Sequence, residues 1–177
     1  MSLNNSCTIK LRLVSQIPGF CGPASLRMIL DYWGITVSQE KIAKLSSASK
    51  KSGTSLKGMI EAAKYFGFQV FLKDNGTIED LRYFVGRGIP VIVNWFCKDD
   101  GHYSVVIHLN KRNIVLADPD SAPENIVERR MTIKKFFRVW FDFPGDFIKE
   151  KRNIIIRRML VLTPFQEDFP VLGGTIK

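Results

Sequence analysis

QIPGFCGPASLRMILDY, residues 16–32, is the stretch that decides how this chain folds. Its apolar residues Leu26, Ile29 and Leu30, continued by Trp33, recur at three- and four-residue spacing, which predicts a helix with one face in a core. Gly34 follows as the residue that ends it. Pro18 and Gly19 make a turn ahead of the helix, so Cys21, Gly22 and Pro23 fall in its first turn. Proline costs little there, because the N–H it lacks would have had no intrahelical partner. A cysteine at that point meets unpaired backbone N–H groups and the positive end of the helix dipole, both of which favour a thiolate. Read alone, Cys21 is equally a buried free thiol at a helix start. Its reading as a nucleophile depends on what the rest of the chain brings to it.

Working outward, residues 8–14 (TIKLRLV) alternate polar and apolar and predict a short half-buried strand leading into Gln16. Ser38 can cap a second helix carrying Ile42, Ala43 and Leu45, and Thr54 or Ser55 a third, with Leu56, Met59, Ile60, Ala63 and Phe66 on one face and Gly67 as its stop. Beyond Gly67 the pattern changes. FQVFLK reads as a strand, Thr77 opens a short helix through Leu81, Phe84 and Val85, and PVIVNWF, HYSVVIHL, NIVLAD and NIIIRRMLVL are β-branched and aromatic runs bounded by strand-ending residues. Thr132 can cap an aromatic helix through Phe136, Phe137 and Trp140, while PDSAPEN reads as loop. The expected architecture is α+β, an N-terminal helical lobe packed against an antiparallel β-sheet. No linker divides the chain, so residues 1–163 are expected to form one domain, with residues 164–177 as a C-terminal arm.

Composition narrows the function. The chain has 177 residues, 45% hydrophobic and 24% charged, as an ordinary globular domain does. Twenty-six Lys and Arg against seventeen Asp and Glu leave a net charge of +9, but the basic residues are scattered in small clusters, and no nucleic-acid partner is expected. Three cysteines, Cys7, Cys21 and Cys97, with no CxxC spacing and two histidines, indicate neither a disulfide framework nor a metal site, and no cofactor is implied. The N-terminus has no secretory pattern and no run is long enough to span a bilayer, so a cytoplasmic location is expected. Oligomeric state is left open.

A thiolate nucleophile needs an imidazole, an orienter for that imidazole, and donors for the oxyanion. His102, after Gly101 at the mouth of a strand, is the candidate base. His108 is its rival on the same strand, an even number of residues away and thus on the same face, roughly 20 Å distant. HYSVVIHL and NIVLAD are joined by a short turn and read as a hairpin, which brings Asp118 opposite the start of the first strand and close to His102. Asp120 is the fallback orienter. Gln16, close before Cys21, can donate a side-chain N–H to an oxyanion beside the Cys21 backbone N–H.

Gln16, the run Cys21-Gly22-Pro23-Ala24-Ser25-Leu26, Gly101-His102-Tyr103 with Ser104-Val105-Val106, and Asp118-Pro119 together resemble the motifs of the C39-like cysteine peptidases, a branch of the papain-like superfamily. The resemblance covers about residues 14–120, with the motifs in the family's order. It implies a papain-like fold, Cys21 as nucleophile, His102 as general base and acid, Asp118 as its orienter, Gln16 as oxyanion donor, and a peptide substrate. Relatives in ABC exporters cut leader peptides after a double glycine, so a leader peptide is one candidate substrate. This chain departs from the exporter type at Phe20, where those members carry Asp, and in a Gln16-to-Cys21 spacing one residue shorter, so double-glycine specificity is not carried over. Hydrolysis of a peptide or other amide through an acyl-enzyme is the expected activity, with a papain-like acyltransferase and a non-catalytic peptide-binding module as the alternatives.

Overall fold

The computed structural model describes residues 8–120, 128–145, 147–166, 169 and 174–177. Helix α1 (Cys21–Tyr32) starts and stops where its sequence requires, with Trp33 closing it and Gly34 following at φ +85°. α2 (Gln39–Leu45) is capped by Ser38, whose side chain accepts the Lys41 N–H, and α3 (Leu56–Tyr65) by Ser55, which accepts from Gly58. Strand β1 (Gln69–Lys73) leads to α4 (Ile78–Val85), where Thr77 and Asp80 form a reciprocal capping box. The remaining strands are β2 (Val91–Cys97), β3 (Asp100–Leu109), β4 (Asn113–Ala117) and β5 (Glu128–Thr132). After helix α5 (Ile133–Val139), capped by Thr132, come the short strands β6 (Phe141–Asp142) and β7 (Ile155–Ile156), then β8 (Met159–Thr163) and β9 (Thr175–Ile176).

The main sheet is antiparallel in the order β5-β4-β3-β2-β8-β1-β9, and β6 pairs with β7 separately. The architecture is α+β, as the sequence predicts. α1 lies between β3 and the pair α2 and α3. This is why more than one stripe of it is buried: Ala24, Ser25 and Met28 join Leu26, Ile29 and Leu30 below 2% exposure. The Ser25 hydroxyl donates to the Tyr103 carbonyl at 3.1 Å, fastening the first turn of α1 to β3 one residue after His102. Gly19 adopts φ +81°, and a Cβ there would lie 2.6 Å from the Lys50 carbonyl oxygen, so the approach to Cys21 admits only glycine. Buried Gln39 braces the same approach, accepting the Ile17 N–H at 3.0 Å and donating to the Ser15 carbonyl at 2.7 Å.

The structure corrects the expected elements in three places. Residues 8–14 form no strand: Ile9 donates to the Ile107 carbonyl at 2.8 Å and Thr8 makes a single bridge to His108. Strands β2 and β4 already flank β3, and only the irregularity between Val106 and His108 frees a backbone group for a third segment. The same bulge resets the side-chain alternation of β3, so the even spacing of His102 and His108 no longer implies a common face. NIIIRRMLVL is broken at Arg157, whose φ of +48° separates β7 from β8. Within the expected C-terminal arm, β9 pairs with β1 and Phe169 packs edge-on against Phe71 and Phe84. Of PDSAPEN, Pro119 and Asp120 lie within the described residues and 121–127 outside them, as does Cys7.

Gly19→Ala adds both the left-handed strain and the backbone clash, and is expected to cost about 2–4 kcal/mol of stability, read from the urea unfolding midpoint. Ser25→Ala, which leaves a buried carbonyl without its side-chain donor, is expected to cost about 1–2 kcal/mol in the same measurement.

Candidate active site

Cys21 opens α1 and is partly exposed. Phe20 stands at the N-cap position and makes no side-chain hydrogen bond, so no side chain neutralises the first-turn N–H groups before they can act on the thiol. Cys97, in contrast, is buried at the end of β2, and burial pushes its thiol up. Two cysteines of one chain are thus set in opposite environments.

His102 projects from β3 and is 7% exposed. Its Nε2 lies 2.6 Å from Asp118 Oδ1, and the Cys21 side chain is near enough to favour the charged ring. With Nε2 engaged by the carboxylate, Nδ1 is the nitrogen left for the sulfur. Burial opposes a charge on this ring, but the hydrogen bonds and charges of Asp118 and Cys21 outweigh it, and His102 is pushed up to about 9. Trp95, its cross-strand partner on β2, meets the imidazole edge-on at 5.8 Å and is itself held by an Nε1–H bond to Ser104 Oγ at 3.0 Å. The ring is therefore fixed on both sides.

The hairpin delivers Asp118 as expected. Its turn is closed by Asn110, whose side-chain oxygen accepts the N–H groups of Arg112 and Asn113, both at 2.8 Å. Asp118 is 3% exposed and its carboxylate accepts three bonds, from His102, from the Asp120 N–H at 3.0 Å and from Arg129 Nε at 2.5 Å. Burial works against its ionisation, yet His102, the Asp120 N–H and Arg129 together hold the carboxyl down at about 2. Arg129 also lies over the Trp95 ring, 5.5 Å from its centre. Nothing in the local sequence announces Arg129, because it reaches Asp118 from β5, across the β4–β5 pairing.

Gln16 docks on the same turn. Its N–H donates to the Pro119 carbonyl at 2.9 Å, and its side-chain Nε2 reaches Asp120 Oδ1 at 3.4 Å, while Oε1 is buried without a partner among the described residues. Asp120, the fallback orienter of His102, bonds Gln16 and Lys98 instead, the latter at 2.5 Å. One amide hydrogen of Gln16 is occupied by Asp120 and the second remains to donate. His108, the rival imidazole, bonds Thr8 Oγ1 at 2.9 Å and stands apart from this network. Among the described residues no group of three or more His, Cys, Asp or Glu could hold a metal ion.

A family model for the peptidase C39 family matches residues 18–142. An uncharacterized protein of Methanothermobacter marburgensis is 36% identical over 129 residues, covering 71% of this chain and 82% of that protein. The peptidase domain of Streptococcus ComA, a bi-functional ABC transporter involved in a quorum sensing pathway, superposes with a TM-score of 0.67 at 26% identity, covering 87% of this chain and 98% of that domain. A double glycine motif protease from an AMS/PCAT transporter, solved in complex with the leader peptide, shares the fold with a TM-score of 0.65 at 19% identity, over 90% of this chain and 95% of that one. The α+β fold is thus the papain-like one that the motifs imply. From the family match over most of its length, the chain belongs to the peptidase C39 family, whose fold is that of papain-like cysteine peptidases.

Proposed function

We propose that this chain hydrolyses a peptide bond with Cys21 as nucleophile, His102 as general base and acid, Asp118 as the orienter of His102, and Gln16 with the Cys21 backbone N–H as oxyanion donors. The observation that carries the reading is a partly exposed Cys21 at the start of α1 beside a His102 ring that is hydrogen-bonded to the buried Asp118 carboxylate. Attack of the Cys21 thiolate on the carbonyl carbon forms a C–S bond and an oxyanion. Collapse of that intermediate breaks the C–N bond, and the His102 imidazolium gives its proton to the departing amine. Water then attacks the thioester, His102 takes the proton, and the C–S bond breaks to release the acid and restore the thiolate. The leader peptide bound to the structural relative supports a peptide as substrate, and a free thiol nucleophile fits a reducing, cytoplasmic setting.

Iodoacetamide near neutral pH, with mass-spectrometric mapping, is expected to label Cys21 rapidly and to leave buried Cys97 unmodified. His102→Ala is expected to remove the fast labelling. A native Cys21 that reacts no faster than an ordinary thiol overturns the peptidase reading and leaves the binding module.

The pH dependence has a defined sign. His102 stays protonated up to about 9, and its proton is needed by the leaving amine, so turnover is expected to fall as pH rises through about 9, while alkylation of Cys21 does not fall. Asp118→Asn removes the carboxylate that holds the ring protonated. Its descending limb is expected at lower pH, with kcat reduced by about 10²-fold or more.

A further inference from the structure

Asp142, on β6, presses its carboxylate against Gly101, the residue before His102. A Cβ at Gly101 would lie 2.3 Å from Asp142 Oδ1 and 2.5 Å from Oδ2, so this position is glycine because a carboxylate occupies the space. Cross-strand pairing sets Gly101 opposite Phe96 and Tyr103 opposite Asn94, and strand alternation puts these four on the face of the β2–β3 pair opposite to that of Trp95 and His102. We propose that Asp142 is the anchor for a positively charged group of the substrate, a lysine or arginine side chain or an α-amine close to the scissile bond. This assignment rests on the peptidase reading and names the chemistry of one substrate residue.

The charge balance around Asp142 is the reason. In a chain of net charge +9, Asp31, Asp74, Asp80, Asp118 and Asp120 each have a basic partner within 4 Å, whereas Asp99 and Asp100, which form no ion pair among the described residues, are exposed to water. Asp142 forms no ion pair among the described residues. Arg158, whose charge reaches it, spends its guanidinium on Asp74 through bonds of 2.7 Å from both Nε and Nη2. What Asp142 has is a neutral donor, the Phe143 N–H at 2.8 Å, with the Asn94 side chain close enough to act on it. Burial, with the nearby charge of Asp100, holds its carboxyl above the ordinary range. Such a carboxylate is oriented and partly desolvated, with its counter-charge missing.

Its surroundings suit a cation carried on an apolar stem. The rings of Phe141 and Phe143 stack on Phe96, each at 5.3 Å, and all three are partly exposed. They offer aromatic faces beside the carboxylate on which methylene groups and a cation can lie. Tyr103 connects this place to the nucleophile. Burial and then the charges of Cys21 and Asp142 hold its hydroxyl well above the usual phenol range. Gly101 directly precedes His102 in β3, so the Asp142 carboxylate stands at the same strand mouth as the imidazole, on the other face of the strand pair.

The test uses the full chain and short peptides ending in a cysteine-reactive Michael acceptor, with lysine, norleucine or glutamate placed in turn at each of three upstream positions. At one position lysine is expected to label Cys21 about threefold to fivefold faster than norleucine, as for a partly exposed ion pair, with glutamate slower still. Asp142→Asn keeps the shape and removes the charge, and is expected to bring the lysine-to-norleucine ratio near one. Equal lysine and norleucine rates at every position in the wild type, or a lysine preference that survives in Asp142→Asn, overturn the proposal while His102-dependent labelling of Cys21 still stands. If no probe labels Cys21 in a His102-dependent way, the peptidase reading falls and this proposal with it.

Discussion

A carboxylate buried to 3% exposure must have its charge answered from close by, and Asp118 imposes that demand on the centre of the molecule. The answers come from three directions. β3 supplies His102, the turn after β4 supplies the Asp120 N–H, and β5 supplies Arg129. His102 and Arg129 are held in turn by sheet pairing, so the carboxylate and the ladder around it are mutually dependent. The helix that carries Cys21 is aligned to the same strand by Ser25, and the Gln16 segment is aligned to the same turn by the Pro119 carbonyl. Thiol, imidazole, carboxylate and amide are therefore referred to one short stretch of backbone, Asp118–Asp120, rather than to four separate supports.

Legibility in the sequence followed the range of the interaction. The α1 boundaries, the Ser38, Ser55, Thr77 and Thr132 caps, and the hairpin that carries His102 and Asp118 are set by residues within a few positions of one another, and their chemistry can be read from spacing. Arg129, Gln39 and Asp142 could not be found that way. Each acts through partners that only the folded sheet or helix pair brings close, and an arginine in ERRMT or an aspartate in FDF has no local signature. Residues 8–14 show the converse failure. The alternation was real, since Ile9 is buried and Leu11 and Leu13 pack against the core while Lys10 and Arg12 are exposed, but alternation records which side chains face a core and not whether a sheet has an edge to offer. At Arg157 the β-branched run concealed a positive φ that no residue type there advertises.

Asp118 and Asp142 show how position decides what one residue type does. Both are acidic, both are withdrawn from water, and both lie within reach of the residue pair Gly101-His102. Asp118 has two cationic partners and is held low, whereas Asp142 has a neutral donor and is held high. The difference follows from where Arg129 and Arg158 are directed, the first at the hairpin and the second at Asp74. A glycine before the histidine serves this arrangement by its lack of a side chain, which lets the second carboxylate come so near.

The open sheet also has two outer margins, and they are finished differently. At one, β5 carries the exposed charged residues Glu128 and Arg130, whose long side chains keep another chain's backbone from adding to the ladder. At the other, the outward margin of β1 is partly covered by the two residues of β9. Thr175 and Ile176 thus act as a selvedge: cutting the chain before them would bare the backbone donors and acceptors of a hydrophobic strand, a template for sticking to any extended segment nearby. Handling of this protein, including where a fusion partner or affinity tag is attached, should leave that hem intact.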